Sequence, residues 1–348
     1  MIKAGRKIKV LVVDDSLMFR EVMAKGIGQD PNIEMVITAG DPFEAKEIIE
    51  KYAPDVITLD VEMPKMNGIE FLKSMMPQYP LPVIVVSAVN QSVFEAIKYG
   101  AVDFVSKPQP HCEESIQGFI ADLVLKIRVA ATAKVRTGKN LLQVESVQGK
   151  INKTQNRVIA IGASTGGTEA VLEILKTFSP QMPPTLVVQH MPPVFTKLYA
   201  ERINDICEVE VREAKAGDRL YRGLVLIAPG MYHLSLKRDA KGYFVDCFEA
   251  EKVNGHCPSV DVLFKSVADC CGSGAIGVIL TGMGQDGAAG LLEMKKKGAK
   301  TIGQNEETAV VYGMPKVAFE IGAVEKQAAL NEIPQLISSY LSEDGSRG

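Results

Sequence analysis

The feature that most constrains the fold is a repeated pattern of short apolar runs, each separated from the next by a helix-like stretch. Residues 8–13 (IKVLVV) run directly into Asp14 and Asp15. Residues 33–37, 56–59, 83–86 and 102–105 are further short runs of the same kind. Stretches with helical spacing lie at 16–28, 42–52, 67–76, 91–99 and 113–128. Runs this short and this apolar read as strands buried on both faces. Their alternation with helices makes the sheet parallel and covered on each side. A second series begins at Arg157, with expected strands at 158–161, 186–188, 209–211, 224–227, 244–247 and 276–280, and helices at 260–271 and 288–297. The expected fold class is α/β: two doubly wound parallel-sheet domains, an N-terminal (βα)5 unit and a C-terminal Rossmann-like unit.

Between the two series the composition changes. Residues 129–156 hold Lys134, Arg136, Lys139, Lys150 and Lys153 against the single acid Glu145, with apolar residues lacking a clear period. This reads as a linker, which sets boundaries of 1–128, 129–156 and 157–348. A chain of 348 residues suits two domains. The net charge of −3 and the lack of a basic recognition helix argue against a nucleic-acid partner. Basic residues precede the first apolar run, but Asp14 and Asp15 cut that run short, so no signal peptide is expected. No stretch reaches the apolar length of a membrane span. The six cysteines (112, 207, 247, 257, 270 and 271) form no CxxC pair, which points to reduced thiols and a cytoplasmic location. With no heptad or dimerisation stretch, a monomer is expected.

In an open parallel sheet the binding crevice lies outside the carboxyl ends of the strands. Asp14 and Asp15 end the first expected strand, Asp60 the third and Ser87 the fourth, and Lys107 follows the fifth. Clustered carboxylates are hard oxygen ligands suited to Mg²⁺. With Lys107 they would offset the charge of a phosphoryl group in transit to Asp60, the expected nucleophile. A single acid after a strand is most often a helix N-cap, and Asp15 before Ser16 fits that role. The whole set of five at strand ends outweighs this reading.

The second domain carries Gly162-Ala163-Ser164-Thr165-Gly166-Gly167 after its first strand, a G-x-S-x-G turn able to expose a serine oxygen. A structural or phosphate-binding glycine turn is an equal reading of this motif alone. His190 follows the run 186–188 and so lies at the same sheet edge as Ser164; His233 and His256 sit in less ordered sequence and are weaker candidates for a base. Asp286 follows the run 276–280 and precedes a helix; it is either the N-cap of that helix or the acid orienting His190. With Ser164 and His190 on one edge, the acid is favoured. The order Ser–His–Asp differs from the α/β-hydrolase order, so the triad is defined by roles. Amides near Thr165 are candidates for an oxyanion hole.

Both halves carry a specific resemblance. The pieces VVDDS (12–16), LDVEMPKMNG (59–68), VSA (86–88) and FVSKP (104–108) resemble response-regulator receiver domains. That resemblance implies a histidine kinase as phosphodonor, Asp60 as acceptor, and Mg²⁺ held by Asp14, Asp15 and Asp60. It also implies Ser87 bonded to the phosphoryl group, Phe104 as a switch residue, Lys107 as phosphate partner and a cis Lys107–Pro108 bond. The pieces IGASTGG (161–167), VVQHMPPVFT (187–196), SVDVLF (259–264), VILTGMGQDGAAG (278–290) and QNEETAVVYGMP (304–315) resemble the chemotaxis protein-glutamate methylesterases. This implies hydrolysis of glutamate γ-methyl esters on cytoplasmic chemoreceptor helices, glutamine deamidation at the same site, no cofactor for hydrolysis, and a Met283 amide in the oxyanion hole. One departure stands out: Cys257 replaces an Arg usual in the family, which bears on affinity for an acidic substrate; Cys257 is not favoured as a rival nucleophile. In this layout the unphosphorylated receiver is expected to obstruct the hydrolase until Asp60 is modified. The rivals are a general esterase, a receiver-controlled binding module with an inactive Ser164, and a receiver with a DNA-binding output.

Overall fold

The computed structural model describes residues 6–64, 66–88, 91–108, 113–135 and 157–343. The chain divides into two compact units, Met1–Leu141 and Leu142–Gly348. Of the expected linker, 136–156 lie outside the described residues, as does Cys112.

In the first unit β1 (Ile8–Val13), β2 (Ile33–Ala39), β3 (Val56–Asp60), β4 (Val83–Ser87) and β5 (Asp103–Ser106) form one parallel sheet. They alternate with α1 (Leu17–Ile27), α2 (Pro42–Tyr52), α3 (Gly68–Met75), α4 (Ser92–Lys98) and α5 (Glu113–Ala130). Every residue of β3 and β4 is buried, which is why their sequences are continuous rather than alternating. α5 runs two residues into the segment expected to be linker. Local chemistry sets the helix starts. Asp41 caps α2 ahead of Pro42. Asn67 and Glu70 form a reciprocal capping box on α3. Gly68 follows Asn67 because any Cβ there would lie 2.1 Å from the Asp60 carbonyl oxygen.

The second unit contains β6 (Val158–Ala163), α6 (Gly167–Leu175), β7 (Thr185–Gln189), α7 (Phe195–Ile206), β8 (Glu210–Glu213) and β9 (Leu224–Ile227). Then come β10 (His233–Asp239), β11 (Gly242–Phe248), α8 (Val260–Cys271), β12 (Ala275–Ile279), α9 (Ala288–Lys296) and β13 (Lys300–Gln304). It closes with α10 (Met314–Glu320), β14 (Lys326–Ala328) and α11 (Ile333–Glu343). Seven strands form a parallel sheet in the order β14-β13-β12-β6-β7-β9-β8. The expected strand at 244–247 exists but belongs to an antiparallel hairpin, β10–β11, outside that sheet. The hairpin buries Leu234, Leu236 and Val245 in the same core as Leu263, Phe264 and Val267 of α8. Burial of each such aliphatic side chain contributes about 1.5–3 kcal/mol. That packing fixes where the first turn of α8 lies.

Among the described residues no helix is long and apolar enough to cross a membrane.

Candidate functional site

Each candidate site sits at a place where the strand order of its sheet reverses. In the first sheet, β1 lies between β2 and β3. The crevice at the ends of β1 and β3 holds Asp14 and Asp60, both buried, with Asp15 exposed at its mouth. One carboxylate oxygen from each of the three acids lies within 4.8 Å of the others. Such an all-oxygen donor set fits a hard divalent cation such as Mg²⁺. Lys107 Nζ lies 2.9 Å from Asp14 Oδ2 and 2.6 Å from Asp60 Oδ2. Burial pushes the Asp60 carboxyl above its ordinary value; Lys107 opposes this and the charge of Asp14 adds to it. Burial works against the Lys107 ammonium, but its bonds to Asp14 and Asp60 outweigh that and raise it.

The Ser87 hydroxyl, at the end of β4, is buried with no hydrogen-bond partner among the described residues. Phe104 is buried, its ring 6.2 Å from that of Phe94 in an edge-on contact. The N-cap of α1 is Ser16, not Asp15. The Lys107–Pro108 bond, expected cis, is not; among the described residues the cis bond is Cys257–Pro258. The trans form is the intrinsic preference of X–Pro bonds, by about 0.5–1 kcal/mol.

In the second sheet the reversal falls between β6 and β12. Ser164 follows β6, with its amide bonded to the Thr281 carbonyl beyond β12 at 3.0 Å. The pairing of β6 with β7 places Ala163 beside Gln189, and the His190 amide reaches the Ala163 carbonyl at 3.1 Å, so Ser164 and His190 emerge side by side. The turn is tight: the Gly167 amide bonds the Ser164 carbonyl at 2.7 Å, and Gly166 has φ 76°. Gly282 makes the crowding possible, since a Cβ there would lie 2.7 Å from Ser164 Cβ. The Gln189 side chain donates to the Ser164 carbonyl at 2.9 Å, bracing the turn from β7.

His190 Nε2 lies 2.9 Å from Asp286 Oδ2, and the two side chains are 8% and 1% exposed. That bond assigns the proton to Nε2 and leaves Nδ1 as the acceptor. Nδ1 is buried and has no hydrogen-bond partner among the described residues, so no bond joins it to Ser164 Oγ. Catalytic contacts are commonly loose before substrate arrives. Asp286 does cap a helix, but a different one from the helix expected. The N-cap of α9 is Gly287, with no side-chain cap, whereas the amides of Val260 and Asp261 in the first turn of α8 donate to Asp286 at 2.7 and 3.2 Å. Ser259 Oγ and Asn254 Nδ2 add bonds of 2.7 and 3.0 Å. Burial pushes the Asp286 carboxyl up, but the bond and charge of His190, with the bonds of Asn254 and Ser259, outweigh it and hold the group well below the carboxylate range.

Around the serine, the Thr165 carbonyl is held by the Thr281 hydroxyl at 2.9 Å, which fixes the turn carrying the Thr165 amide. Met283 is half exposed, and its amide makes no hydrogen bond among the described residues. Cys257 is partly buried, and burial raises its thiol, the opposite of nucleophile activation. Sequence reasoning missed Asn254 and Ser259 as partners of Asp286, and it ranked His256 low. The imidazole of His256 stacks on that of His190.

Residues 159–337 match the CheB methylesterase family, and residues 10–116 match the response regulator receiver domain. A protein-glutamate methylesterase/protein-glutamine glutaminase of Syntrophomonas wolfei is 55% identical over 97% of this chain and 99% of that protein. The chain belongs to the CheB methylesterase family. A protein of the same designation from Syntrophotalea carbinolica is 46% identical over 97% of this chain and 99% of its own length. The crystal structure of the CheB methylesterase catalytic domain of Thermotoga maritima matches with a TM-score of 0.52 at 37% identity, over 53% of this chain and 99% of that one. The expected fold class and the expected enzyme family, a CheB methylesterase domain behind a receiver, both hold.

Proposed function

We propose that the second domain hydrolyses glutamate γ-methyl esters on the cytoplasmic helices of chemoreceptors, with Ser164, His190 and Asp286 as its triad, under control of phosphorylation at Asp60. The observation that supports this most is the 2.9 Å bond between Asp286 and His190 at the strand-order reversal, on the sheet edge where Ser164 and His190 follow the adjacent strands β6 and β7.

In this reading Ser164 Oγ attacks the ester carbonyl while His190 Nδ1 takes its proton. Asp286 keeps the Nε2 proton in place and stabilises the imidazolium. The oxyanion is held by the amides of Thr165 and Met283. Collapse of the tetrahedral intermediate breaks the C–O bond to methanol, which leaves with the proton from Nδ1. Water then attacks the acyl-enzyme, giving its proton to Nδ1, and Ser164 is released with the glutamate carboxyl. Glutamine at the same position loses ammonia by the same two steps. Neither needs a cofactor.

In the first domain an Asp60 carboxylate oxygen attacks the phosphorus of a phosphohistidine; the P–O bond forms as the P–N bond to the kinase breaks. Asp14, Asp15 and Asp60 would hold Mg²⁺, which when bound offsets charge on the phosphoryl group. Lys107 pairs with the phosphate and the unpartnered Ser87 hydroxyl gains an acceptor, with Phe104 as the residue that reports the change. Domains 1–128 and 157–348, joined by 129–156, divide these two tasks. The protein acts as a cytoplasmic monomer without nucleic-acid or membrane partners.

A fluorophosphonate probe tests the triad. The adduct is expected on the peptide containing Ser164 and lost in His190→Ala. An adduct elsewhere, or full labelling without His190, would contradict the assignment.

A further inference from the structure

Residues 251–259 form a closed strap beside the triad. His233 on β10 clips its two ends: the Nε2 of this buried ring donates to the Glu251 carbonyl at 3.0 Å, and its Nδ1 accepts the Ser259 amide at 3.2 Å. At the tip, Val253 and His256 exchange two backbone bonds of 3.0 Å. Asn254 and Gly255 between them have φ 53° and 83°, the arrangement of a two-residue Asn-Gly turn. Both side chains flanking this geometry go to the triad. Asn254 Nδ2 donates to Asp286 Oδ1 at 3.0 Å and to Asp261 Oδ2 at 2.8 Å. The His256 ring lies on the His190 ring with centroids 3.7 Å apart and planes 10° from parallel.

We infer that His256 is a positioning residue for the catalytic base, and that the strap holds base and acid in register with Ser164. The inference rests on the triad reading above. A single bond from Nε2 to Asp286 anchors one corner of the His190 ring and leaves the plane free to turn about it. Such a turn carries Nδ1 away from Ser164. A second ring at van der Waals distance over one face blocks that rotation. The stack is face to face, so the flat of the His256 ring is what meets His190.

The full-length protein is labelled with the fluorophosphonate probe, and limiting rate and probe affinity are measured separately. In His256→Ala the limiting rate is expected to fall about tenfold, the upper end of what a contact between aromatic rings supplies, with probe affinity unchanged. His256→Phe, which keeps a flat ring but no nitrogen, is expected to stay within about threefold of wild type. Nitrogen-15 spectra of the His190 ring are expected to show a single Nε2-protonated tautomer in wild type and His256→Phe, and an averaged signal in His256→Ala. If His256→Ala does not fold by circular dichroism, His256→Gln, with similar bulk and no ring, takes its place. Wild-type labelling in His256→Ala overturns the inference, as does His256→Phe being as slow as His256→Ala, or a change in probe affinity alone. Failure of the wild-type protein to label at all would instead refute the triad reading.

Discussion

Replacing Asp286 by Asn probes the triad and its scaffold together. The carboxylate accepts from five donors: His190 Nε2 and the Val260 amide at Oδ2, and Asn254 Nδ2, Ser259 Oγ and the Asp261 amide at Oδ1. Asn offers one oxygen and one NH₂. With NH₂ on the Oδ2 side, the Val260 amide loses its acceptor. His190 must then accept at Nε2, which moves its proton to Nδ1, the nitrogen assigned to Ser164. With NH₂ on the Oδ1 side, the Ser259 hydroxyl can turn to accept, but Asn254 Nδ2 and the Asp261 amide face another donor. Either way one or two buried N–H groups are left unpaired, at about 1–3 kcal/mol each. We therefore expect a stability loss of roughly 2–4 kcal/mol by urea unfolding at pH 7. Where the tautomer is inverted, activity falls by about 10⁴, as in the best-studied serine protease. The pH dependence follows from the depressed carboxyl, in which burial is outweighed by His190, Asn254 and Ser259. Its stabilisation is fully present above the unfolded value of about 3.9 and is lost as pH falls from there through the lower folded value. Asn has no proton to gain, so the gap between the two proteins narrows below about pH 4. An Asn variant with the wild-type urea midpoint and wild-type labelling rate would refute this reasoning.

Gly282→Ala puts a Cβ 2.7 Å from Ser164 Cβ and 2.4 Å from Met314 Sδ in the present geometry. It is expected to lower stability by about 1–3 kcal/mol and to slow Ser164 labelling; an unaffected rate would mean the turn has room to spare. Lys107→Ala leaves buried Asp14 and Asp60 without their shared ammonium. We expect a lower urea midpoint that Mg²⁺ partly restores, and no response to Mg²⁺ would remove these acids as its site. Burial raises the Cys247 thiol to about 12 and those of Cys207 and Cys271 to about 11. Iodoacetamide at pH 8 is therefore expected to spare all three until the protein is unfolded, as read by peptide mass spectrometry; fast modification of the folded protein would contradict their burial.

The strands that carry the sites were legible because they are unbroken runs of buried aliphatic residues, as in β4, β6 and β12. β13 was not, because its sequence KTIGQ buries Thr301 and Gln304 through hydrogen bonds instead. The Thr301 hydroxyl reaches the Ala323 carbonyl at 2.8 Å, and Gln304 Oε1 accepts the Thr281 amide at 2.8 Å. A criterion of apolar runs cannot see polar groups buried with their partners. Phe244–Cys247 read as a strand, but nothing local in it distinguishes a hairpin from a sheet member. Ser164, His190 and Asp286 stood out as candidates because strand ends place them. Whose helix Asp286 caps, and what covers His190, depend on contacts between distant segments. The Asn254-Gly255 turn signal was the one local pointer to the strap.

Methanol release from methylated chemoreceptor, measured with and without a small phosphodonor and Mg²⁺, tests the central claim directly. The account predicts release by the wild-type protein that the phosphodonor stimulates, loss of stimulation alone in Asp60→Ala, and loss of release in Ser164→Ala. Release that persists in Ser164→Ala, or stimulation that persists in Asp60→Ala, would contradict it.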